Sequence, residues 1–129
     1  MPAQGAGHAR VIFDEAAFSE DLQRTSDTGR SVALQTRNAY EREGCPVEAL
    51  LACDSEAQDG TRLPGCVKVY LPPPAGKFGI VFEIDRQAGS LVLAYLAFGV
   101  RHHPLDSHAL TVYQLAHKRL NEPAKEETR

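Results

Sequence analysis

The chain has 129 residues, 43% hydrophobic and 24% charged, with no Trp. That is the composition of one globular domain large enough to bury a core without metal or disulfide. A net charge of −3 excludes the broad positive surface of a general nucleic-acid binder, so any basic site has to be local. The longest apolar run, 91–100, is half the roughly 20 residues that a membrane helix needs. Residues 1–9 lack a charged start followed by an apolar stretch, so no secretory signal is visible. Cys45, Cys53 and Cys66 are an odd count without C-x-x-C spacing. This argues against a disulfide framework and a zinc site, and points to the cytoplasm with the thiols reduced.

Small residues at 1–8 read as a disordered start, 9–122 as a single domain and 123–129 as a frayed tail. A short strand is expected over 10–13, then a helix capped by Asp14, with Ala17, Phe18 and Leu22 on one face. The tract 26–29 reads as a break. A second helix follows to Glu43, with Val32, Thr36, Ala39 and Tyr40 as its buried stripe and 44–46 as its stop. Residues 47–53 suit a short third helix, and 54–60 a polar loop.

Three strands come next. Val67, Val69 and Leu71 alternate with Lys68 and Tyr70, the period of a half-buried strand. The prolines at 72–74 cannot continue a ladder and form the first connection. Phe78, Ile80, Phe82 and Ile84 alternate in the second strand, and 85–89 reads as a hairpin loop. The third strand, 91–98, is apolar at nearly every position and is expected to be covered on both faces. Asp106 or Ser107 would cap a last helix whose Ala109, Val112, Tyr113, Ala116 and Leu120 share a face. The order predicts an α+β fold, with helices on one face of a small antiparallel sheet.

Acidic residues crowd the first half, from Asp14 to Asp59. The stretch 62–119 carries Arg62, Lys68, Lys77, Arg86, Arg101, Lys118 and Arg119 against Glu83, Asp85 and Asp106. Arg101, His102 and His103 end the last strand, and Tyr113 follows on the helix, a grouping suited to handling RNA. Arginine at the end of an apolar strand fits a phosphate clamp. Imidazole exchanges protons near neutral pH, so His102 and His103 can serve as acid or base, or stand as plain loop histidines. Their spacing to His108 matches no metal-ligand pattern, and no metal is expected. Tyr113 suits either catalysis or core packing with its hydroxyl at the rim. Lys68 and Tyr70 suit a solvated strand face or a functional one. Lys118 and Arg119 suit the negative end of a helix dipole, and Cys66 a small buried side chain.

The segments VIFDEAAFSEDL, GKFGIVFEID, LVLAYLAFGVR and VYQLAHKRL stand in an order that resembles the RelE/ParE superfamily of bacterial type II toxins. The resemblance implies that fold and, in its ribosome-dependent branch, cleavage of mRNA by attack of a ribose 2′-hydroxyl on the adjacent phosphate. It implies an antitoxin, the ribosome and mRNA as partners, with no membrane and no small-molecule cofactor. Residue by residue, Lys68 matches a strand lysine, Arg101 the arginine ending the last strand, and Tyr113 the tyrosine of the final helix. The implied catalytic set is Arg101, His102, His103 and Tyr113, with Lys68, Lys77 and Arg101 binding RNA. Gly79 stands where the hairpin motif carries arginine, Tyr70 where a second lysine is usual, and the stretch between Arg101 and Tyr113 is longer than usual. The family's gyrase-directed branch shares the fold without the nuclease residues. A non-catalytic protein-binding module, either gyrase-directed or a toxin-derived interaction domain, is therefore the alternative.

Overall fold

A computed structural model describes residues 7–53, 63–87, 90–102 and 110–121. The polar tract 54–60, the caps expected at Asp106 and Ser107, Ala109, His103, His108 and most of both termini lie outside the described residues.

Strand β1 (His8–Ile12) turns Ala9 and Val11 inward. The Asp14 carboxylate accepts from the Ala17 amide at 3.1 Å and opens α1 (Glu15–Gln23). Ser26 caps α2 (Asp27–Glu43) through the Gly29 amide at 3.3 Å, so the expected break at 26–29 shrinks to the cap itself. Gly29 is helical where its composition suggested a turn, and the Phe78 ring packs against it. A Cβ there would lie 2.8 Å from that ring. Helix α2 stops at Gly44, whose φ of 82° favours glycine.

Residues 47–53 do not form the expected helix. After the two-residue strand β2 (Cys45–Pro46), only Val47–Ala49 makes a 3-10 turn, and Leu51–Ala52 is strand β3. So short a segment holds no helix by itself, whereas β4 offers it ladder hydrogen bonds. Strands β4 (Cys66–Tyr70), β5 (Phe78–Gln87) and β6 (Ser90–Val100) pair consecutively and antiparallel. The β5–β6 ladder runs to the pair Gln87 and Ser90, taking in 85–87, which sequence pattern assigned to the hairpin loop.

Among the described residues six strands form one sheet in the order β2-β1-β6-β5-β4-β3. The α+β class holds and β4, β5 and β6 pair antiparallel as expected, while β1 makes the sheet mixed by running parallel to β6 with Val11 opposite Leu93. A parallel pair needs a long crossover, and everything between the first and last strands supplies it. The helices also occupy both faces, not one. Helices α1 and α2 cover a core of Phe18, Ala33, Phe82, Leu93, Tyr95 and Phe98. The last helix, α3 (Val112–Leu120), covers Cys66, Val81 and Ala97 from the opposite side with Val112, Leu115 and Ala116. Strand β6 thus gives side chains to both layers, as its unbroken apolar run predicts. Burying one such Phe or Leu stabilises the fold by about 1.5–3 kcal/mol. The described α3 is capped by Thr111, which exchanges hydrogen bonds with Gln114 in a capping box.

Candidate functional site

Alternation along β4 turns Val67 and Val69 toward the α1–α2 core and Cys66, Lys68 and Tyr70 toward the face that carries α3. Tyr70 pairs with Gly79, and Gly79 with Gly99, so a row without side chains lies between Tyr70 and the end of β6. Arg101 reaches across this row. Its guanidinium carbon sits 3.7 Å from the centre of the Tyr70 ring, a close cation–π stack. A Cβ on Gly79 would fall 3.4 Å from Arg101 Cγ and 3.1 Å from the Val69 carbonyl oxygen. The Arg101 stem therefore fills the space above Gly79.

From α3, the half-buried Tyr113 meets Lys68, whose Nζ is 4.9 Å from the Tyr113 ring centre and 5.7 Å from that of Tyr70. Two cations and two phenols from β4, the end of β6 and α3 thus share one surface. Arg101 Nη1 donates to the Gly76 carbonyl at 2.8 Å, and its backbone amide donates to the Lys77 carbonyl at 2.8 Å. Its Nε is buried and has no hydrogen-bond partner among the described residues. A buried guanidinium N–H without an acceptor is costly and suits an incoming anion.

The pKa shifts here keep protons on. Burial pulls the Lys68 pKa down, but Tyr113 and then Tyr70 outweigh it, so the ammonium is held above its ordinary value. Burial raises the Tyr113 phenol, and Lys68 and Arg101 only partly offset this. Lys68 is therefore a fixed cation and Tyr113 a neutral donor near neutral pH.

His102 is exposed beside Arg101. Lys77 is exposed too, and its Nζ stands 5.7 Å from the ring centre of Phe78, a residue of the opposite core. The contacts thus bring Lys68, Arg101 and Tyr113 together and leave Lys77 out of that group. Tyr70, weighed in the sequence as a departure from pattern, is the ring that joins them.

Sequence reasoning missed a second cluster. Asp21 is 1% exposed yet ionisable. Its Oδ2 accepts from Tyr95 Oη (2.5 Å), the Phe98 amide (3.2 Å) and Arg119 Nη1 (2.8 Å), and Oδ1 from Arg119 Nη2 (2.7 Å). Arg119 also reaches Glu20 and the carbonyl of Leu96. Leu96 is the β6 residue skipped where the β5–β6 register shifts, and Arg119 takes up its carbonyl. Burial and then the charge of Asp21 push the Tyr95 pKa far up. The signal was present: Phe18, Asp21 and Leu22 share one helix face, as do Val112, Leu115, Ala116 and Arg119. An acid and a base on two buried stripes are a pair waiting to meet.

An open cleft of about 620 Å³ between β1 and the end of α2, lined by His8, Arg10, Tyr40 and Glu43 among others, contains none of the four cluster residues. Among the described residues no three His, Cys, Asp or Glu are placed to hold a metal ion, and no helix is long and apolar enough to cross a membrane.

No protein-family model and no curated protein matches the chain. Among solved structures the chain is similar to a mutant of the E. coli toxin RelE in the free state, with 18% identity and a TM-score of 0.44. That match covers 88% of this chain and 98% of the other.

Proposed function

We propose that the chain is a ribosome-dependent mRNA endoribonuclease, the toxin of a type II toxin–antitoxin pair, acting in the cytoplasm as one domain over 9–122. The observation that carries this reading is the joint presentation of Lys68, Arg101 and Tyr113 around Tyr70, with one buried Arg101 N–H left without an acceptor. The order of the motifs GKFGIVFEID and VYQLAHKRL supports it.

In the reaction, the ribose 2′-oxygen forms a bond to the neighbouring phosphorus while the bond from phosphorus to the 5′-oxygen breaks. One group accepts the 2′ proton and another gives a proton to the 5′-oxygen. Lys68 and Arg101 bear the charge that gathers on the phosphate oxygens. Lys68 holds its proton too firmly to be the base, so it or Tyr113 is the donor to the leaving oxygen. An imidazole of His102 or His103 takes the 2′ proton, a contribution of about 10²–10⁴-fold for such a positioned group. An antitoxin segment would cover the same sheet face.

The test is inducible expression in a bacterial host with mapping of mRNA 5′ ends, and Arg101→Ala as control. Growth arrest with new cuts inside translated codons, lost in the variant, is the expected result. Arrest with intact mRNA would point to gyrase or another protein target, which the net charge of −3 favours over RNA. No arrest would mean that the fold acts as an interaction module.

A further inference from the structure

Strand β3 lies on β4 with Leu51 opposite Lys68 and Ala52 opposite Val67. One step further along the same register, Cys53 faces Cys66, and the Cys53 amide donates to the Cys66 carbonyl at 3.3 Å. The Cys66 amide turns instead to the Leu63 carbonyl at 3.3 Å, so this single bond joins the two residues. Residues opposed across an antiparallel pair hold their Cα atoms about 4.5–5.5 Å apart, inside the ~4.4–6.8 Å range that a disulfide spans. Directly opposed residues project to the same face. Both thiols accordingly pack with Leu63 and Val81 on the α3 side, Cys66 buried and Cys53 half-buried. They also sense each other: burial first, then Cys53 and Glu83, push the Cys66 thiol up to about 12. Cys53 lies near enough to Lys68 to act on its charge as well.

We propose that Cys53 and Cys66 are a redox-active dithiol, closed to a cross-strand disulfide by small disulfides of the glutathione class. The better exposed Cys53 loses its proton and attacks one sulfur of the small disulfide. That S–S bond breaks, and one small thiol leaves with a proton. Cys66 then loses its proton and attacks the Cys53 sulfur of the mixed disulfide, releasing the second small thiol. The protein gives up two electrons and two protons, and the small disulfide is reduced to two thiols. A transient disulfide of this kind fits an otherwise reducing compartment. The high proton affinity of Cys66 makes the second step the slow one, and each pH unit below its pKa leaves about tenfold less thiolate. The thiols sit beside the cluster, but their chemistry needs no RNA.

The experiment exposes the reduced full chain to mixtures of oxidised and reduced glutathione, quenches with acid, alkylates, and maps peptides by mass. One alkylated thiol at Cys45 and a linked Cys53–Cys66 pair are expected, with closure quickening about tenfold per pH unit between pH 7 and 9. Cys66→Ser should hold glutathione on Cys53, while Cys53→Ser should leave Cys66 unmodified. Three alkylated thiols in excess oxidant would overturn the inference, as would a wild-type mixed disulfide that never resolves or a bond to the fully buried Cys45. RNA cleavage is assayed separately, so an inert nuclease with a closing disulfide would sink only the functional reading.

Discussion

Arg101 has two roles set by one geometry. Its planar guanidinium stacks on Tyr70 at 3.7 Å, and one N–H of the fork is spent on Gly76, which leaves Nε facing no acceptor among the described residues. Lysine supplies the charge but neither the plane nor the fork. Under the proposed function, Arg101→Lys should therefore lower RNA cleavage by about 10²–10³-fold while the fold persists, the range expected when one stabilising donor is lost. Single-turnover cleavage beside a thermal melt checks this, and full activity in the variant would remove Arg101 from the site. Gly79 carries the opposite lesson. Restoring the arginine of the resembling motif, as Gly79→Arg, should destabilise the protein by about 1–3 kcal/mol through overpacking. The Val69 carbonyl oxygen, 3.1 Å from the added Cβ, is a backbone atom that would have to give by a few tenths of an ångström. A urea titration reads the change, and an unchanged midpoint would mean that the Arg101 stem yields the space.

At the scale of elements, α3 is tied to α1 by a buried carboxylate and guanidinium. Arg119 lies 14% exposed in its side chain against Asp21 at 0%, so both charges have left water and depend on each other. Removing one partner of such a pair costs about 3–5 kcal/mol, because the survivor stays buried and uncompensated. Asp21→Asn and Arg119→Met should each show a loss of that order in urea, and the double variant much less than their sum. Additive losses would show that the pair is not coupled. The same variants should weaken RNA cleavage, since α3 carries Tyr113. The element pattern explains what was legible in the sequence. The cap at Asp14 and the stripes of α1 and α2 are local signals, and they located both helices, whereas the Ser26 cap falls in the tract that reads as a break. Residues 51–52 took their conformation from the edge of β4, a partner distant in sequence, so no local pattern could announce it. Thr111, rather than Asp106 or Ser107, caps the described α3 because Gln114 stands at the reciprocal position. Lys68, Arg101 and Tyr113 were legible through motif order. Asp21 was missed because it stood among the acids crowding the first half, and Arg119 because it was weighed only against its own helix dipole.

For the whole molecule, the parallel pairing of β1 with β6 places one sheet between two layers, and this double cover governs how the protein meets alkali. Cys45, Cys66, Tyr40, Tyr95, Tyr113 and Lys68 all bind their protons more tightly folded than their ordinary values of 9.0, 10.0 and 10.5. Burial is the first cause for the thiols and phenols; for Lys68, Tyr113 and Tyr70 overcome it. The unfolded chain therefore loses these protons first. The stability they contribute is fully present below pH 9 and is lost as pH climbs from there through the raised folded values. Each proton released only on unfolding steepens the fall by about 1.4 kcal/mol per pH unit. The urea midpoint should thus hold steady from pH 7 to about pH 8.5 and drop progressively toward pH 11. General charge repulsion would also lower it, and Tyr95→Phe separates the two causes. That variant loses the hydrogen bond to the charged Asp21, about 1.5–3 kcal/mol at neutral pH, but it has no phenol to ionise. Its stability should fall less steeply than the wild type between pH 10 and 11. Parallel slopes would assign the alkaline loss to repulsion and take the buried phenol out of the account.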